Sequence, residues 1–363
     1  MASLDPADLP EEDAALRARR LAHLQSLIAR IEPWFRLLGL PWIAPLWRLL
    51  IDDSPRQQWI EIWRGLIVPV LSILGFLALW AWAAPQVQTS LGAIPGPAQV
   101  WEQVHVLHQE AQNEAEREAA FYEKQATKNA ELLAAGKADE VKDRVYAGKP
   151  TYSGQILTSL KTVFLGFLLA SLLAIPLGIL AGLSATANAA LSPLVQVFKP
   201  VSPLAWLPIV TMTVSALYDG GDGGVPKSFL VSAITVMLCS LWPTLINTAL
   251  GVATIDKDLV NVGRVLKLSL WTRITKLVLP SALPLIFTGL RLSLGVGWMV
   301  LIAAEMLSQN PGLGKFVWDE FQNGSSDSLA RIMVAVFTIG LIGVLLDRIM
   351  VALQTLLTFQ GRR

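Results

Sequence analysis

A chain of 363 residues with only 16% charged and 53% hydrophobic residues is too apolar for an ordinary soluble protein, where about a quarter of residues carry charge. Runs of about 20 apolar residues, the length of a membrane-crossing helix, account for the mean hydropathy of +0.51. A net charge of +1 argues against nucleic-acid binding, and a single cysteine, Cys239, excludes an intrachain disulfide framework or a cysteine zinc site.

The first apolar run follows about sixty polar or amphipathic residues, so no signal peptide is expected and the N-terminus is expected in the cytoplasm. Residues 1–64 read as a cytoplasmic or interfacial amphipathic segment. Within it, Glu32 to Leu50 interleaves Trp34, Trp42 and Trp47 with Arg36 and Arg48, which suits a helix in the headgroup region or a packed cytoplasmic helix. Residues 65–84 form the first span. Residues 85–161 form a charged insertion, read as an external helix or helical hairpin over 99–146 with a break near Gly136. Residues 162–356 form a core of five spans: Thr162 to Leu183, Leu194 to Tyr218, Ser228 to Leu250, Ser281 to Glu305 and Ala330 to Ala352. The fold class is therefore all-α integral membrane with about six transmembrane helices, because other backbone would leave unpaired amides in lipid.

Cytoplasmic loops collect Lys and Arg. The loop 251–280 holds Lys257, Arg264, Lys267, Arg273 and Lys276, whereas the loops around Asp219 to Pro226 and Ser308 to Leu329 hold only Lys315. With six spans, both termini and this loop are expected inside.

Soluble-enzyme motifs fail. Gly221 to Ser228 reads GDGGVPKS, but Pro226 stands where a phosphate loop needs a glycine amide, so it reads as an external turn. His105 and His108 lie three apart near Glu102 and Glu110, a pattern that is far more often a solvated helix face than a metal site. No metal, no cofactor and no catalytic group is expected. Gly178 and Gly182, and Gly289, Ser293 and Gly297, give small-residue faces that suit either intrachain packing or a dimer interface. Pro200, Pro203 and Pro208 either kink the third span or break it and free amides for an anion. Arg291, several turns inside a span, costs about 2.5 to 3.5 kcal/mol unless paired, snorkelling or facing water. Arg291, Trp298, Thr211, Thr235 and Glu305 are the candidates for lining a translocation path.

Thr254 to Gly297 carries the most information. It reads as an amphipathic helix, a turn, a second basic helix and a proline-bounded approach to the membrane at Leu279 and Pro280. A short helix held along the cytoplasmic face is a docking element. Here the chain resembles the permease subunits of ATP-binding-cassette importers, whose coupling motif runs E-A-A, a glycine, then I-x-L-P. Asn261, Val262 and Gly263 stand in the E-A-A place, Lys267 in that of the glycine, and Val278, Leu279 and Pro280 in that of I-x-L-P. Those departures, with L-P-S-A-L-P, T-G-L-R and A-A-E-M-L (Ala303 to Leu307), are similar to the nitrate-type branch of the nitrate, sulfonate and taurine permeases. Further matches are I-P-G-P at Ile94 to Pro97, S-L-K-T-V at Ser159 to Val163 and P-L-A-W-L-P at Pro203 to Pro208.

The resemblance implies a type I importer permease (MetI-like) in the bacterial inner membrane, with a coupling helix and ATPase contacts at Asp258, Asn261, Val262, Gly263, Arg264, Lys267, Leu279 and Pro280. It implies two cytoplasmic ATPase subunits, a periplasmic substrate-binding protein and a second permease copy. The cargo it implies is a small oxyanion, nitrate or nitrite first, with taurine, alkanesulfonate or bicarbonate as alternatives. A secondary anion transporter would need no ATPase dock, and a membrane-embedded enzyme would need paired catalytic groups in the bilayer.

Overall fold

The computed structural model describes residues 23–29, 31, 32, 35, 39, 41–51, 54–89, 92–219, 224–325 and 327–359, with the side chains of Lys257, Val260, Arg264 and Phe359 outside that description. Two compact units result: Met1–Ala83 with Val351–Leu353, and Ala84–Met350 with Gln354–Arg363.

In the first unit, α1 (Ile43–Leu50) is followed by α2 (Pro55–Ile62), a π turn (Trp63–Ile67) and α3 (Val68–Ala83). Arg48 pairs with Glu32, and Phe35 meets Trp47 edge to face with ring centroids 5.5 Å apart. Trp34 and Arg36 lie outside the described residues. The first span runs over Pro55–Gln86, longer than the 65–84 read from hydropathy alone. The π turn explains how Pro69 is tolerated. Proline has no N–H for the carbonyl four residues back, and a wide turn spaces that carbonyl away from the ring.

The second unit opens with a two-residue β-hairpin, Gln88–Thr89 paired with Gly92–Ala93, and then α4 (Pro97–Ala134), an uninterrupted helix of 38 residues. Gly136, at φ +71°, ends it, with the amide of Lys137 donating to the carbonyl of Leu132 at 2.9 Å. The break near Gly136 is thus present, but the chain does not return as a helix. Val141 to Pro150 runs back without regular structure. It is held along α4 by Arg144 N to Gln125 Oε1 at 3.1 Å, Tyr146 Oη to Glu114 at 2.9 Å and Lys149 N to Glu114 at 2.9 Å. We call this element the finger.

The core follows: α5 (Tyr152–Leu183), α6 (Ala185–Phe198), α7 (Pro203–Leu217), α8 (Lys227–Ala253), α9 (Lys257–Val265), α10 (Leu270–Arg273), α11 (Leu279–Ser308), α12 (Leu313–Asn323) and α13 (Ser328–Phe359). Helix α8 packs against both α5 and α11. The small-residue faces explain how. A Cβ on Gly178 would come within 2.6 Å of Thr248, one on Gly182 within 2.5 Å of Val252, and one on Gly289 within 2.9 Å of Asn247. These glycines therefore serve close packing within the chain. Val163, Val236, Phe287, Leu294, Trp298 and Leu301 fill the centre.

Among the described residues, five helices are long and apolar enough to cross a membrane, six if one bent pair counts as a span. That pair corrects the third predicted span. Leu194 to Tyr218 is not one helix: α6 and α7 meet at 102° across Lys199 to Ser202, with Ser202 capping α7 through Leu204 N at 3.3 Å. Pro200 and Pro203 bar a continuous helix, so the prolines break it. At Leu279 and Pro280 the helix is continuous. A single helix runs over Leu270–Ser308, and a π turn at Ile274–Val278 carries it past Pro280 as the earlier one does past Pro69.

Candidate functional site

The loop between α8 and α11 presents α9 as a short exposed helix. Asp258, Asn261 and Val262 are exposed, the last by 50%, and the side chain of Arg264 lies outside the described residues. Gly263 is buried because α9 rests on the turn before α11; a Cβ there would sit 2.8 Å from Leu277 Cδ1. The helix stops at Lys267, which adopts φ +48°, while Leu268 N donates to Gly263 O at 3.1 Å. This is the turn a glycine would normally make, here formed by an exposed lysine. Leu279 is partly buried beside Val252, Val278 and Ala282, and Pro280 is exposed. Of the described coupling candidates, Asp258, Asn261, Val262, Lys267 and Pro280 are thus exposed, whereas Gly263 and Leu279 pack inward.

The path candidates do not share one surface. Thr211 is exposed on α7 and returns its hydroxyl to Leu207 O at 2.8 Å. Thr235 is fully buried and bonds Val231 O at 2.8 Å. Trp298 is buried, its indole N–H donating to Ile339 O on α13 at 2.9 Å. Arg291 meets Asp347 in a two-pronged pair, Nε to Oδ1 at 2.5 Å and Nη2 to Oδ2 at 2.9 Å. Asp347 is the residue the sequence reading left without a role. The two residues are 56 apart in the chain, and only the fold brings them together.

Glu305 is fully buried, and its carboxylate is enclosed. It accepts from Ser159 Oγ at 2.8 Å, Gly314 N at 3.0 Å and Asn310 Nδ2 at 3.4 Å, while Ser159 Oγ accepts from Leu313 N at 2.8 Å. Gly312 and Gly314 leave no room for a Cβ against the Glu305 side chain and Ile302 O. The run N-P-G-L-G wraps the carboxylate and fixes the start of α12 to α11 and α5. Ser159, Asn310 and these glycines escaped the sequence reading, since only the fold brings 159 and 305 together.

On the finger, His105 packs edge-on against Trp101 and His108 bonds Gln112 at 3.1 Å. Among the described residues no three His, Cys, Asp or Glu side chains converge as metal ligands. Gly221 to Gly223 lie outside the described residues.

Residues 174–358, holding the loop between α8 and α11 and the last candidate spans, match the family described as "Binding-protein-dependent transport system inner membrane component". The chain belongs to that family. The permease is 39% identical over 212 residues to the nitrate import permease protein NrtB of Leptolyngbya laminosa, covering 58% of this chain and 71% of the relative. It is 36% identical over 304 residues to the bicarbonate transport system permease protein CmpB of Synechococcus elongatus, covering 83% and 92%. Family and candidate spans together make this a multi-pass membrane permease.

Proposed function

We propose that this permease is the membrane-spanning subunit of an ATP-driven importer that carries a small monovalent oxyanion, nitrate, to the cytoplasm by alternating access. The observation that carries the reading is α9: an exposed short helix, seated through Gly263 on the helix leading into α11, on a chain without a nucleotide-binding motif. Two cytoplasmic ATPase subunits dock on Asp258, Asn261 and Val262, and their closure on ATP moves α9. Because α9 bears on Leu277, that movement re-tilts α11. A second permease copy completes the path, and a periplasmic binding protein delivers the anion. The basic loop 251–280 is cytoplasmic with both termini, which puts the finger in the periplasm. Residues 1–64 lie at the cytoplasmic face, and Arg291, neutralised by Asp347, lies beside the path.

Nitrate is supported by the 39% identity to a nitrate import permease. Bicarbonate is the second reading, supported by the longer alignment with a bicarbonate permease, 83% of this chain against 58%. Both are small monovalent oxyanions, so one path chemistry serves either. The test is uptake into proteoliposomes holding the complete complex, with labelled nitrate, bicarbonate and taurine offered separately. ATP-dependent nitrate uptake is expected. Uptake of bicarbonate alone selects the second reading, and uptake without ATP refutes the importer.

A further inference from the structure

On α6 the polar side chains face the protein and the apolar ones face away from it. Asn188, Ser192 and Gln196, spaced by four, form one stripe along a groove of about 330 Å³ between α6 and the last turns of α5 and α8. On the opposite side of α6, Leu194 and Val197 are 49% and 63% exposed, and Ala190 and Pro193 beside them are exposed too. A helix on a water-soluble core does the reverse, burying its apolar stripe and turning polar residues outward. The arrangement on α6 belongs to a membrane segment with water inside, because polar groups within a span face the bundle interior or a water-filled cavity. The groove is therefore wet.

Its far wall is small or apolar, with Ala181, Gly182, Leu245 and Ala249, and none of the residues lining it is charged. The groove lies where α5 and α8 end and the basic loop 251–280 begins. From there the stripe climbs about 12 Å along α6, eight residues at 1.5 Å each, toward the 102° break at Lys199 to Ser202. Gln196 Nε2 donates to Ser192 Oγ at 3.1 Å, which leaves the serine hydroxyl hydrogen and the Asn188 amide as donors on the stripe. Such neutral donors replace part of an anion's hydration shell. Without a fixed positive charge they also release it, as conduction requires. The volume holds a small oxyanion with several waters.

We infer that this groove is the cytoplasmic exit of the path, a water-filled passage within each chain for a small monovalent oxyanion, with Asn188, Ser192 and Gln196 as successive donors. The inference rests on the function and membrane orientation proposed above. It also joins the exit to the drive: Ala249 and Ala253 on the groove wall belong to the end of α8, which leads directly into α9, so the movement of α9 acts on the groove as well as on α11.

The test attaches a charge to the groove. Ser192→Cys and Leu194→Cys, each in a Cys239→Ala background, are prepared in the complete complex, and their reaction with a small sulfonate-bearing thiosulfonate reagent is timed in lipid nanodiscs. Ser192→Cys should react at least tenfold faster than Leu194→Cys, since the reagent is itself a hydrated anion. In proteoliposomes with the reagent on both sides, labelled Ser192→Cys should lose uptake of whichever anion the native complex carries and recover it when a reductant removes the label. Labelling of Leu194→Cys should leave uptake unchanged. Equal rates, faster reaction at Leu194→Cys, as a lipid-filled groove would give, or undiminished uptake after full labelling of Ser192→Cys overturns the passage. Should Ser192→Cys carry no anion before labelling, the two rates decide. If the native complex takes up neither nitrate nor bicarbonate, the proposed function fails, whereas native uptake with equal labelling rates removes only the exit.

Discussion

Arg291 on α11 and Asp347 on α13 form a two-pronged ion pair between two helices, with N to O distances of 2.5 and 2.9 Å. A fork of this kind is the strongest neutralisation a guanidinium finds, and it removes the cost of carrying either charge into the membrane alone.

Replacing one partner strands the other. Arg291→Gln leaves an unmatched carboxylate in the span, a cost of about 2.5 to 3.5 kcal/mol, and should sharply lower the yield of folded complex. Arg291→Gln with Asp347→Asn removes both charges and should recover that yield. If the pair also serves the anion, the double variant assembles but loses uptake; normal uptake per folded complex shows a purely structural pair.

Glu305→Gln keeps the shape of a carboxylate but turns one acceptor into a donor. That donor then faces the Ser159 hydroxyl, the amide of Gly314 or the amide of Asn310. The loss is about 1 to 3 kcal/mol, read as earlier thermal unfolding of the detergent-purified permease. Glu305→Asp should also fail, because a shorter side chain cannot reach across to Ser159. Unchanged melting in both variants would mean that the N-P-G-L-G wrap holds α12 without its carboxylate.

Lys267 pays for a left-handed turn, φ +48°, that glycine adopts freely. Lys267→Gly should relieve about 1 kcal/mol of backbone strain and leave ATP-coupled uptake intact. Loss of coupling in that variant would assign the ammonium itself a role at the ATPase interface.

The return strand of the finger should respond to pH through Glu114 and Tyr146. The Tyr146 hydroxyl, the Lys149 amide and Arg117 hold the Glu114 carboxyl below its ordinary value of 4.5 despite opposing desolvation, and the same bond raises Tyr146 above 10.0. A depressed acid contributes stability above its unfolded value and loses it as pH falls through its folded value; a raised tyrosine contributes below 10.0 and loses it above its folded value. A fluorophore on Val145→Cys, with Cys239 replaced, should therefore report an immobile strand from pH 5 to pH 9 and release below pH 4.5. Release already at pH 6 would contradict the assignment.

The spans and the short helix within the basic loop 251–280 were legible because their signals are local. Absence of charge over twenty residues, basic residues clustered in 251–280 and the spacing from Asn261 to Pro280 each lie within one stretch of sequence. What escaped was long-range or depended on competing backbone preferences. Leu194 to Tyr218 is apolar enough to read as one span, and the 102° break follows from Pro200 and Pro203 acting together with the Ser202 cap. The helical composition of 99–146 hides that only α4 and a single 3-10 turn, Ala138–Glu140, are helical, since the return segment is held by single bonds to Gln125 and Glu114 that no periodicity reveals. Ser159 and Glu305 are 146 residues apart, and nothing in either segment announces the other.

The central claim is that α9 transmits the work of ATP hydrolysis to α11 through its seat at Gly263. The most direct measurement is Gly263→Trp in the complete complex, with copurification, ATP hydrolysis and anion uptake followed separately. An indole at 263 must displace Leu277, since even a Cβ there comes within 2.8 Å of its Cδ1. The account predicts a permease that still copurifies with its ATPases and supports hydrolysis but carries no anion. Copurification with normal ATP-driven uptake would contradict it.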